Sequence, residues 1–144
     1  MRPHPYVRAY MAGIVVPTLF LLVTMTFDAY HRYYFEVPNQ FVLGLPAHPL
    51  DRALLFPMAI VPNAWGAWNM LYLALRSRVR LPLGVHGSLL VLVLIPGGVA
   101  VARVLDSFAI QLQFAAPMIP IGMGVYYLAW KYPVRFLNEE LGIG

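Results

Sequence analysis

Apolar residues fall in four long runs along this chain, separated by short polar clusters. The runs Ala9–Phe27, Ala53–Leu75, Leu81–Ala102 and Ser107–Trp130 contain no Asp, Glu, Lys or Arg. A helix needs about 20 residues to cross a hydrocarbon core roughly 30 Å thick, and all four runs reach that length. Helices also satisfy their own backbone hydrogen bonds in lipid. The pattern therefore predicts an all-α polytopic membrane protein, with four transmembrane helices forming one bundle and one domain over residues 1–144. Arg2 and Arg8 precede the first run in the manner of a signal peptide. The stretch TMTFDAYHR lacks a small-residue cleavage site, so the run is expected to remain as the first helix.

Between the first two runs lies the only long connection, residues 28–52. It opens with Tyr30, Tyr33 and Tyr34 at helical spacing, which suits a helix leaving the membrane through an aromatic belt. Pro38, Pro46 and Pro49 then argue against a continuous helix, and Asp51 is placed to cap the second one.

Basic residues fix the expected orientation. Alternating flanks put Arg2, Arg8, Arg76, Arg78, Arg80, Lys131 and Arg135 on one side, and only Arg32, Arg52 and Arg103 on the other. The positive-inside rule assigns the richer side, with both termini, to the cytoplasm. The expected location is a bacterial inner membrane.

Composition agrees with this reading. The chain is 60% hydrophobic and 11% charged, with a mean hydropathy of +0.68; soluble domains carry about 25% charged residues. The net charge of +4 is scattered between apolar runs and forms no dense patch, which argues against nucleic acid as a partner. With no cysteine, disulfides, thiolate metal sites and thiol chemistry are excluded. No metal site and no cofactor is expected. No charged residue stands inside any run, so a carboxylate-coupled exchanger and a voltage sensor are disfavoured.

Every run contains proline: Pro17, Pro57 and Pro62, Pro96, and Pro117 with Pro120. IPGG at residues 95–98 is the expected sharpest kink. Pro82 falls in the first turn of its helix, where no hydrogen bond is lost. Gly84, Gly87 and Ser88 share one side of the third helix, and Gly98 and Ala102 form a second small pair suited to close helix packing.

The second run carries the most distinctive pattern, VPNAWGAWNMLY. At 100° per residue, Trp65, Trp68, Asn69, Tyr72 and Arg76 share one face, while Asn63 and Gly66 belong to a small-residue face that reads as a packing seam. Taking residue 64 as the middle, Tyr72 lies about 12 Å and Arg76 about 18 Å toward the cytoplasm, within interfacial range. Trp65 sits near mid-bilayer and Trp68 about 6 Å from it, too deep for the interfacial belt. Such a stripe suits an apolar ligand, a lipid, or a partner helix.

His86, near the cytoplasmic start of the third helix, is read as an interfacial histidine. On the outer side, Asp28, His31 and His48 would have to converge to make a metal or acid–base site. Arg103 and Asp106 read as an ion pair, and Gln111 and Gln113 enter the fourth run. Three functions follow from these features. The first is a non-catalytic accessory or binding subunit of a membrane assembly, contacting a membrane-protein partner or a second copy. The second is an oligomeric small-solute or lipid transporter or channel. The third is an outer-surface enzyme.

Overall fold

The computed structural model of the 144-residue chain describes residues 4–35, 41–42, 45–104 and 117–143. Almost all of the described backbone is helical. Helix α1 runs Pro5–Phe35 and α2 runs Ala47–Leu75. Between them, β1 (Phe41–Val42) and β2 (Leu45–Pro46) pair antiparallel, Phe41 opposite Pro46. Helices α3 (Leu83–Leu89) and α4 (Val91–Val104) follow. After residues 105–116 come α5 (Met118–Ala129), a π turn at Trp130–Val134, and α6 (Arg135–Glu140).

Two of these helical stretches are long and apolar enough to cross a membrane, Pro5–Phe27 and Leu83–Ala100, among the described residues. Their composition explains them: long apolar runs, interrupted by charge only at Arg8 near the start of the first, stabilise a helix chiefly where its outer face meets an apolar surrounding.

Element ends differ from those the sequence predicts. Helix α2 begins at Ala47, so Asp51 lies inside it and is not its N-cap. Proline is tolerated in a first turn because its missing N–H has no partner there, and Pro49 falls in that turn. Pro96, Gly97 and Gly98 lie within α4, whereas the interruption between α3 and α4 falls at Leu90. There the Leu90 amide donates to the Gly87 carbonyl at 3.1 Å and the Val93 amide to the Leu90 carbonyl at 3.0 Å, a locally tightened turn. The helical path of the last run also continues past Trp130 to Glu140. Pro133 lacks an N–H and crowds the carbonyl four residues earlier, and the wider π turn accommodates it.

Helices α1 and α2 form an antiparallel pair whose backbones nearly touch. A Cβ on Gly13 would lie 2.6 Å from the Trp65 carbonyl oxygen and 2.8 Å from Gly66 Cα. A Cβ on Gly66 would strike the Tyr10 ring at 2.6 Å. Helix α3 packs on α5 and the π turn in the same way. Gly87 faces the Trp130 indole so closely that a Cβ there would sit 1.9 Å from its Cγ. Small residues thus let large rings occupy the space between helices. The core has two parts: one around Trp65, Leu90, Trp130 and Val134, and a smaller one around Ala9, Ala12 and Ile143.

Candidate functional site

On the face of α2 bearing Trp65, Trp68, Asn69, Tyr72 and Arg76, this chain's own later helices bury Trp65 and Asn69, half-cover Trp68 and Tyr72, and leave Arg76 exposed. Trp65 is 4% exposed, with Tyr126 and Trp130 at ring-centroid distances of 4.8 Å and 5.4 Å. Both contacts are tilted, the geometry that aligns ring edges with ring faces. Among the described residues, the buried indole nitrogens of Trp65 and Trp130 have no hydrogen-bond partner.

One turn further on, Trp68 and His86 tie α2 to α3. Trp68 Nε1 donates to the His86 carbonyl at 2.8 Å. His86 Nε2 lies 3.1 Å from the Trp68 carbonyl, and only a protonated nitrogen can bond to that acceptor, so Nε2 carries hydrogen. The two rings stack at 5.1 Å, and Tyr72 and Trp130 stand 5.2 Å and 6.1 Å from the imidazole. His86 is therefore a packed residue of the helix interface, 5% exposed.

Asn69 reaches deeper, at 1% exposure. Its amide nitrogen donates to the Ala9 carbonyl and to Asn138 Oδ1, each at 2.8 Å. Asn138 Nδ2 donates back to Asn69 Oδ1 at 3.2 Å. Both amide hydrogens of Asn69 and its oxygen are thus engaged between α1, α2 and α6. A buried amide left unpaired costs about 1–3 kcal/mol, so closing this pair within the chain removes that penalty.

Beyond Asn69, the chain end folds back over α1 and α2. The Ile143 amide donates to the Asn138 carbonyl at 2.9 Å and the Gly142 amide to the Glu139 carbonyl at 3.0 Å. Gly142 has φ +66°, so these are the two bonds of a Schellman cap, which glycine adopts without strain. The carbonyls left at this end meet two arginines. Arg8 Nη1 donates to Leu141 O at 2.5 Å and lies 3.5 Å from Gly142 O, and Arg76 Nη1 donates to Ile143 O at 2.7 Å. Positive charge at a helix C-terminus is favoured by the partial negative charge of about half an electron there. Arg135 and Glu139 form an exposed ion pair one turn apart at 2.8 Å. The hydrogen bond from Arg135 and the charge of Glu139 hold that guanidinium above the usual arginine value.

The remaining residues singled out in the sequence lie apart from this arrangement. Asn63 is exposed and accepts a hydrogen bond from the Tyr10 hydroxyl. Gly66 packs against Tyr10 and Ile14 of α1. At Gly98 no atom lies within 4 Å of where a Cβ would stand, so it is an open position on α4. The side chains of Ala102 and Arg103, and those of Asp28, His31, His48, Asp51, Asp106, Gln111 and Gln113, lie outside the described residues. Among the described residues, no group of three His, Cys, Asp or Glu side chains is placed to hold a metal ion.

Sequence periodicity placed the α2 stripe but missed what covers it. Asn138, Trp130 and Tyr126 supply the cover, from residues read as a fourth span and a C-terminal tail. One signal was present: LNEELGIG ends in a glycine followed by an apolar residue, the pattern of a capped helix end that packs back on its neighbours. Comparison with protein-family models, with curated proteins and with solved structures finds no match to this chain.

Proposed function

We propose that the chain is a four-span integral membrane protein, both termini cytoplasmic, that serves as a non-catalytic accessory or binding subunit of a larger assembly in a bacterial inner membrane. The single observation that carries this reading is the contrast between inside and outside. The central polar side chains, Asn69, Asn138 and Trp68, bond within the chain. The outward surface is apolar: Phe20, Val23 and Phe27 of α1 are 66–68% exposed, and Ile121 and Val125 of α5 are about 60% exposed. Such a surface is suited to lipid and to other transmembrane helices, since it leaves no unpaired polar group against hydrocarbon.

The orientation draws support from the meeting of Arg8, Arg76 and residues 141–143 at one end of the molecule. These belong to three of the basic flanks that the positive-inside rule groups together. A transporter or channel reading needs a polar cavity at Asn63 or Asn69; the Asn69 amide is closed against Asn138 and Ala9, while Asn63, bonded by the Tyr10 hydroxyl, is exposed.

Native purification in mild detergent, followed by mass spectrometry of bound chains and lipids, tests the proposal. The accessory reading predicts a stable complex with at least one other membrane protein or a second copy. A monomer that co-purifies with no other chain contradicts it.

A further inference from the structure

Two guanidinium groups converge on the folded-back chain end, and the acceptors they find are neutral. Arg8 and Arg76 come from opposite ends of the α1–α2 pair in sequence, yet both donate to the carbonyls of residues 141–143. Among the described residues, the buried Arg8 Nε has no acceptor. An arginine fork uses Nε together with an Nη to hold an anionic oxygen pair, the geometry that makes it the favoured partner of phosphate. Half of that fork is therefore idle at Arg8 while the segment is in place. Arg78 and Arg80, exposed in the turn after Arg76, add positive charge nearby.

The covering segment is short and locally held. Its anchors are the Gly142 cap, the two arginine contacts, and Ile143 packed beside Ala9 and Ala12. The arginine–carbonyl bonds carry charge on the donor only. An anionic oxygen pair adds opposite charge and a second acceptor, so it is a stronger partner for both arginines than the carbonyls are.

We propose that Arg8 and Arg76 form a phosphate-binding site, closed in this structure by the segment Leu141–Ile143, which an anionic phosphate displaces. The phosphate belongs either to a phospholipid headgroup at the membrane surface or to a soluble ion. The proposal rests on the membrane reading above, which places these residues at the cytoplasmic headgroup level.

The test uses the full chain in nanodiscs of the phosphate-free neutral lipid digalactosyldiacylglycerol, of that lipid with phosphatidylglycerol, and of that lipid with inorganic phosphate in solution. Hydrogen exchange is followed at the Gly142 and Ile143 amides. Release of the segment predicts exchange about tenfold faster with the anionic partner, equivalent to losing one charge-assisted hydrogen bond. Acceleration by phosphatidylglycerol alone assigns the site to a headgroup, and acceleration by inorganic phosphate as well assigns it to phosphate generally. Arg8→Gln and Arg76→Gln loosen the segment by themselves, so the readout is the ratio between lipids within each variant, expected near one. Arg8→Lys keeps the charge without the Nε donor and is expected to lower the ratio without abolishing it. Equal rates for the wild-type chain in all three preparations overturn the proposal, as does an undiminished lipid dependence in both Gln variants. Failure of the chain to insert into the discs overturns the membrane reading and this site with it, whereas equal rates in an inserted chain overturn the site alone.

Discussion

Asn69 decides how the polar character of α2 is to be understood. Helical periodicity sets it beside Trp65, Trp68, Tyr72 and Arg76, and that much is legible in the sequence. Its partner is not, because Asn138 lies 69 residues away in a mixed-charge segment that reads only as a C-terminal tail. The reciprocal amide pair has a measurable consequence. Asn69→Leu strands the Asn138 amide in a buried position and is expected to cost about 1–3 kcal/mol. Replacing both residues with leucine removes donor and acceptor together, so the double variant should be less destabilised than the sum of the singles. Thermal unfolding of the four proteins in detergent closes this cycle, and additive losses would show that the two amides do not support each other.

At the scale of helices, the apolar runs located the elements well, while their ends followed local chemistry. Proline sits comfortably in the first turn of α2, and a π turn absorbs Pro133, so helices extend past the points where proline counting stops them. Glycine shows the same division between what sequence marks and what packing decides. Gly84, Gly87, Gly98 and Gly66 look alike as small residues in apolar runs. In the structure Gly87 lies against Trp130 and Gly66 against Tyr10, whereas Gly98 faces open space. Gly87→Ala must therefore push aside a fully buried indole and is expected to destabilise the fold by about 3 kcal/mol, at the upper end of overpacking costs. Gly98→Ala meets no atom of the described residues and should be neutral or stabilise α4 by up to about 1 kcal/mol. Measured unfolding in detergent checks both. If Gly98→Ala leaves the isolated chain intact but dissociates a purified complex, the open side of α4 is where a partner packs.

For the molecule as a whole, the sequence conveyed its helical class, because hydropathy is a property of the chain itself. The closure of the α2 stripe depends on how distant helices meet, and no local pattern encodes that. Among the described residues, Asn69, Asn138 and Trp68 bond internally, α1 and α5 expose large apolar side chains, and Arg8, Arg76 and residues 141–143 meet at one pole. The central claim is that this pole is cytoplasmic and that the chain threads the membrane four times. Because the chain has no cysteine, single cysteines report on this without background. The most direct measurement is labelling of Ser77→Cys and Asn39→Cys by a membrane-impermeant maleimide in intact bacterial spheroplasts. The account predicts that Asn39→Cys labels at once and that Ser77→Cys labels only after the membrane is permeabilised. Labelling of Ser77→Cys in intact spheroplasts, or of both positions together, would contradict it.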